Sequence, residues 1–205
     1  MVPMAGRAEG FLGTDAAVAA LRAGGLNLYV RHGITDRRQI DTGRRGDRAG
    51  QRNLDDRGRA QAAAVGQALR ALQICVQSVA ASEVFRARDT AALAFPDQPV
   101  VVIPALIADD YTPGNPLEDA AEVRRLLAER LAPSAVCGGR SQGNAVFVGH
   151  IVPFGMITGR SWSQAAFPEG AIALFRPEAG RAVLIGVVPA EAVIRAAGLS
   201  TPWAP

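Results

Sequence analysis

The chain has 205 residues, 49% of them hydrophobic and 20% charged, with a formal net charge of +3. That balance excludes a disordered or fibrous chain and fits a globular protein of one domain spanning 1–205. Aromatic residues are only 5%, and none interleaves with the arginine-rich stretch between Arg37 and Arg59, so the stacking surfaces of a single-strand nucleic-acid binder are missing.

In chain order, Asp15 to Arg22 reads as an opening helix that Gly24 and Gly25 break, and Leu26 to Val30 reads as a short buried strand delivering Arg31, His32 and Gly33 to its end. Thr35 to Arg52 has no apolar period and is expected to be a long loop, either functional or mobile. Its charges, eight arginines against five aspartates as far as Arg59, suit either an anionic ligand or a solvated loop. Asn53 is placed to cap an amphipathic helix over Asp55 to Leu72, whose first turn is acidic.

Val76 to Ala81 is a second strand, and Ser82 to Phe95 a turn and an alanine-rich helix. Pro99 to Pro104 is β-branched and bounded by prolines, which predicts a third strand. Asp109 to Pro116 is then a loop, Leu117 to Leu131 a helix, and Ala145 to Gly149 an apolar strand with His150 directly after it. Ala171 to Phe175 and Ala182 to Val188 flank a turn at Arg176 to Arg181 and form a hairpin. The alternation predicts an α/β fold, a three-layer α/β/α sandwich around a mostly parallel mixed sheet.

Two cysteines, Cys75 and Cys137, are too few and too far apart in sequence for a disulfide framework or a zinc set, and are expected to be small buried hydrophobes. With His32 and His150 the only histidines, a metal site would need a cluster of carboxylates that the sequence does not show, so neither a metal nor another cofactor is expected. No run is long and apolar enough for a signal peptide or a membrane span, which predicts a cytoplasmic protein unless an export signal has been removed.

Three signals share one predicted geometry. Arg31-His32 follows the first strand, Arg86 opens the helix after the second, and His150 follows the late apolar strand; strand ends are where open α/β sheets bind ligands. Guanidinium forks match the equatorial oxygens of a phosphoryl group and stay charged at working pH. A neutral imidazole is a competent nucleophile near pH 7, and neighbouring arginines favour its unprotonated form. The pattern points to His32 attacking phosphorus, Arg31 and Arg86 holding the oxygens, and His150 donating to the developing charge.

These residues resemble a known family. Val30-Arg31-His32-Gly33-Ile34-Thr35 is similar to the Arg-His-Gly-x-Thr signature of the histidine phosphatase superfamily, the phosphoglycerate mutase-like fold. Ser82 to Ala91 is similar to its second motif, Ser-x-x-x-Arg-Ala-x-x-Thr-Ala, and Val146 to His150 to its strand-Gly-His motif. The resemblance runs from about 26 to 188. Gln51 to Leu54, Gly58 to Ala62 and Glu169 to Pro177 resemble the branch of small bacterial phosphatases.

The resemblance implies a phosphomonoester hydrolase acting through a phosphohistidine on His32. Its pocket would comprise Arg31, His32, Arg86 and His150, a small phosphorylated compound would be the substrate, and inorganic phosphate the product. It also implies a carboxylic acid that protonates the leaving oxygen. Where many relatives carry Leu-x-Glu, this chain has Leu106-Ile107-Ala108-Asp109-Asp110, so Asp109 or Asp110 would serve, with Glu83 and Glu169 in reserve. Thr35, Arg44, Arg45 and Arg52 would contact the substrate, the arginines a second anionic group on it. Two other readings use the same pocket. One is a phosphoglycerate-type mutase, disfavoured by Asp36-Arg37-Arg38-Gln39; the other is a phosphate-binding regulatory module with little turnover.

Overall fold

The computed structural model describes residues 10–138, 142–201 and 203. In chain order its main elements are Thr14–Ala23 (α1), Asn27–Arg31 (β1), Asp56–Ala71 (α2), Val76–Ala81 (β2), Phe85–Ala94 (α3), Val100–Val102 (β3), Pro116–Leu127 (α4), Asn144–Gly149 (β4), Ile151–Thr158 (α5), Ile172–Glu178 (β5), Arg181–Val188 (β6) and Ala190–Ala196 (α6). The strands form one sheet in the order β3-β2-β4-β1-β5-β6. Strands β3, β2, β4 and β1 are parallel, and β5 is antiparallel to both of its neighbours.

Strand periodicity sorts the side chains into two cores. Leu28, Val30, Val146, Val148, Ile172 and Leu174 point into one, with α1, α2, α3 and α6 over them. Tyr29, Phe147, Ala173 and Phe175 point into the other, with Val123 and Leu127 of α4 and Phe154 of α5. The architecture is therefore the expected α/β/α sandwich. Strands buried on both faces lack polar alternation, as β1 and β4 show.

Several elements differ from expectation for identifiable reasons. The cap of α2 is Asp55, whose carboxylate accepts from the Gly58 N–H at 2.7 Å; Asn53 instead donates through Nδ2 to the carbonyls of Arg48 and Gln51 and ties up the preceding loop. Helix α4 stops at Leu127 and not at Leu131, because the buried Asn27 side chain donates to the carbonyls of Leu127 and Glu129 at 2.8 and 2.9 Å, ending the helix against β1. The hairpin turn is only Ala179-Gly180, both at positive φ, so β5 and β6 run further than the flanking charges suggested. Helices α5 and α6 went unpredicted: α5 has eight residues and almost no polar face, and α6 has seven.

The expectation for the cysteines is corrected. Cys75 and Cys137 form a disulfide, with Cα atoms 5.7 Å apart. Their sequence separation of 62 misled because β2 and β4 are sheet neighbours: Cys75 leads into β2, and Cys137 closes a 3-10 turn ahead of β4. Both lie within the normal bridging distance. Loop-closure entropy for a loop of this size corresponds to a stabilisation of up to about 4 kcal/mol. Reduction is therefore expected to lower the thermal midpoint by on the order of 10 °C while leaving the fold at 25 °C intact. Calorimetry with and without dithiothreitol, paired with thiol titration, checks this; two reactive thiols in the untreated protein would contradict it.

Among the described residues no helix is long and apolar enough to cross a membrane.

Candidate active site

Register in the sheet brings the scattered signals together. Strands β2, β4 and β1 are adjacent, Arg31 pairs with Gly149, and Ala81 pairs with Val148. His32, Ser82 and His150 therefore leave the same edge side by side, and backbone bonds His32 N–H to Gly149 O (3.1 Å) and Ser82 N–H to Val148 O (2.9 Å) continue the ladder one step further.

The second motif acts as a brace. Arg86 lies in the first turn of α3, and Thr90, one turn later on the same face, has its hydroxyl between two groups. It donates to Arg86 O at 2.7 Å and accepts from Gly33 N–H at 2.9 Å. The spacing of Arg86 and Thr90 thus locks α3 against the turn that carries His32. That turn has no room for a side chain at Gly33, where a Cβ would sit 2.9 Å from Gly58 O.

His150 is fixed through its backbone. The Tyr29 hydroxyl donates to His150 O and accepts from His150 N–H, both at 2.9 Å. A Cβ at Gly149 would overlap that hydroxyl, which accounts for glycine there. Burial, the largest influence, keeps Tyr29 protonated and able to donate.

Arg31, His32, Arg86 and His150 are each 2–3% exposed, and the two imidazole rings stand 5.3 Å apart. His32 Nδ1 lies 2.9 Å from Gly33 O. A carbonyl only accepts, so Nδ1 carries the proton and Nε2 keeps its lone pair. Burial, then the Arg86 and Arg31 charges, holds His32 well below its ordinary pKa, and burial with the same arginines does so for His150. Both rings are neutral at pH 7. Burial also pulls Arg31 down to about 10, against the pull of Glu169 and aided by Arg52, Arg37 and Arg86; it remains a cation.

The donors of this cluster are only partly used within the protein. Arg31 Nη1 donates to Phe167 O at 2.6 Å. Among the described residues Arg31 Nε, Arg52 Nε, Arg86 Nε and both ring nitrogens of His150 are buried without a hydrogen-bond partner. Each such group costs about 1–3 kcal/mol in a folded protein unless something answers it. Converging cationic donors of this kind match an oxyanion.

The candidate acids separate. Asp109 is half-buried in a 3-10 turn, Asp109–Tyr111, and its carboxyl is raised above the usual range, chiefly by burial and then by Asp110, with Arg86 opposing. Asp110 is exposed. Glu83 receives Arg45 at 2.5 and 2.8 Å, so the two charges are paired with each other. Glu169 accepts from the buried Thr35 hydroxyl at 2.8 Å. Of the predicted substrate contacts, then, Arg52 stands at the cluster, Thr35 is buried with its hydroxyl on Glu169, Arg44 is exposed, and Arg45 is held by Glu83. Arg48 likewise grips Asp89 and lies over the Phe85 ring at 4.1 Å.

Two residues at the pocket were not foreseen. Asp41 accepts from Arg86 Nη1 at 2.9 Å and from Tyr111 Oη at 2.6 Å. Asp41 is one of several aspartates in an arginine-rich loop, and Tyr111 sits in a turn 70 residues away, so no local spacing marked the pair. Among the described residues no group of three or more His, Cys, Asp or Glu side chains is placed to hold a metal ion.

Solved structures similar to this one share its fold. A mutant phosphoserine phosphatase from Entamoeba histolytica, in complex with phosphoserine, superposes with a TM-score of 0.55 at 15% identity, covering 82% of this chain and 98% of that one. A mycobacterial glucosyl-3-phosphoglycerate phosphatase with inorganic phosphate gives 0.56 at 19% identity, covering 82% and 99%. A protein histidine phosphatase complexed with tungstate gives 0.54 at 16%, covering 80% and 97%. No curated protein sequence matches the chain significantly. The sequence profile of the histidine phosphatase superfamily (branch 1) matches residues 28–131, slightly more than half of the chain and inclusive of the Arg31-His32 and Arg86 motifs. The chain belongs to branch 1 of the histidine phosphatase superfamily.

Proposed function

We propose that the protein hydrolyses small phosphate monoesters through a phosphohistidine on His32. One observation carries the reading: a neutral His32 with its lone pair on Nε2 stands among buried donors of Arg31, Arg52, Arg86 and His150 that lack protein partners.

In the first step Nε2 attacks phosphorus while the ester P–O bond breaks, and Asp109 gives its proton to the leaving oxygen. Arg31, Arg86 and His150 take the charge on the equatorial oxygens. In the second step the Asp109 carboxylate removes a proton from water, the water oxygen bonds to phosphorus, and the P–N bond breaks to release phosphate and neutral His32. Asp109 suits both halves because burial raises its pKa and favours the protonated form that the first step needs. The disulfide favours an oxidising compartment over the cytoplasm, in keeping with an exported protein.

The test is steady-state turnover of an aryl phosphate, then of phosphoserine and glucosyl-3-phosphoglycerate, each with orthovanadate as inhibitor. Hydrolysis with vanadate inhibition is expected. Phosphate affinity without turnover across the panel would overturn the hydrolase reading and favour a binding module.

A further inference from the structure

The Asp41–Arg86 contact is an ion pair largely withdrawn from solvent, the two side chains being 14% and 4% exposed. Buried pairs of this kind contribute little net stability, because desolvation offsets the attraction, so their use lies elsewhere. Here one carboxylate oxygen, Asp41 Oδ1, gathers three donors: Tyr111 Oη at 2.6 Å, Arg52 N–H at 2.9 Å and Arg86 Nη1 at 2.9 Å. Each donor comes from a different part of the pocket. Tyr111 belongs to the same short turn as Asp109, Arg52 ends the arginine-rich loop, and Arg86 opens α3.

The geometry at Arg86 is selective. Nη1 lies on the side of the guanidinium away from the Nε–H edge, so a carboxylate on Nη1 fixes the plane and leaves that edge for a ligand. Nε is indeed buried and without a protein partner. Burial and the neighbouring Asp41 keep the Tyr111 phenol protonated and donating. The rest of the loop is moored on α3 and the turn before it by Arg48–Asp89, by Gln51 Oε1, which accepts from Phe85 N–H at 3.0 Å, and by Arg45–Glu83.

We propose that Asp41, secured by Tyr111, is the positioning residue that orients the Arg86 guanidinium for phosphoryl transfer and joins it to the turn bearing the proton donor. The proposal rests on the phosphohydrolase reading above. It assigns Asp41 and Tyr111 no contact with substrate. Their effect should therefore appear in the transition state, where a fixed guanidinium counts most, and little in ground-state binding.

The experiment compares Asp41→Ala, Asp41→Asn, Tyr111→Phe and the Asp41→Ala/Tyr111→Phe double variant in aryl phosphate turnover, with vanadate inhibition and thermal midpoints measured alongside. A mispositioned guanidinium is expected to lower kcat about 10- to 100-fold for Asp41→Ala and to weaken vanadate inhibition in parallel, with KM changed by less than about 3-fold. Asp41→Asn keeps an acceptor oxygen and should recover most of the loss. Tyr111→Phe should lose less than Asp41→Ala, and the double variant should be no worse than Asp41→Ala alone, since both act through one contact.

An unchanged kcat in Asp41→Ala, a kcat loss with unaltered vanadate inhibition, or additive losses in the double variant would overturn the proposal. Should Asp41→Ala fail to fold, Tyr111→Phe decides by the same criteria. His32→Ala in the same assay separates the two levels. An active His32→Ala removes the phosphohistidine reading, whereas an inactive His32→Ala beside a normal Asp41→Ala removes only the positioning role.

Discussion

Replacing His32 with Ala is expected to lower kcat for an aryl phosphate by on the order of 10⁴-fold or more, because the proposed mechanism then loses its nucleophile. His150, the nearest ring, has its centroid 5.3 Å away and its backbone tied to Tyr29, so it cannot move into the attacking position without breaking both of those bonds. Phosphate binding should survive, since the donors of Arg31, Arg86 and His150 remain. The pH dependence of the wild-type enzyme follows from the same site. Protonation of His32 removes the lone pair, and its pKa lies well below the ordinary 6.5 through burial and then the Arg86 and Arg31 charges. As pH falls through 6.5, kcat/KM should therefore hold level and decline only at distinctly more acidic pH. A decline centred on 6.5 and attributable to His32 would contradict the buried, arginine-flanked site.

The second large effect is expected at Asp109. Loss of a general acid and base lowers rates by about 10²- to 10⁴-fold, so Asp109→Asn should lose at least two orders of magnitude with alkyl phosphates, whose leaving oxygens need the proton. Aryl phosphates, with better leaving groups, should suffer less in the first step. The exposed Asp110, changed to Asn, should stay within about 3-fold of wild type, as ordinary surface substitutions do. The sign with pH is opposite to that of His32. Asp109 must hold its proton, its pKa is raised by burial and Asp110, and activity should fall as pH rises through that value; Asp109→Asn should remove this alkaline limb. Equal losses in both variants, or a loss only in Asp110→Asn, would reassign the acid.

The parts of this protein that were legible in sequence are those in which one local pattern decides the outcome. Apolar runs at 26–30 and 145–149 could only be buried strands, and Arg31-His32, Arg86 and His150 each followed a strand or opened a helix. Their convergence needed only the assumption that those strands share one sheet, and the β2-β4-β1 order supplies it. What was hidden depends on chain segments remote from each other. The Cys75–Cys137 bridge is visible only once β2 and β4 are neighbours. Asp41 joins Arg86 and Tyr111 across 45 and 70 residues, with no spacing to announce it. Arg45, predicted to contact substrate, is paired with Glu83, a residue that the sequence placed in a different motif. Burial likewise distinguishes Asp109 from its neighbour Asp110, a difference that adjacent letters cannot carry.

The mechanism stands or falls on phosphate passing through His32. It is tested most directly by mixing the protein with a ³²P-labelled monoester, quenching in alkaline detergent during the steady state, and mapping the labelled peptide. Label is expected on the peptide containing His32, stable in alkali, labile in acid, and absent from His32→Ala. Turnover without any covalent label, or label carried by a residue other than His32, would contradict it.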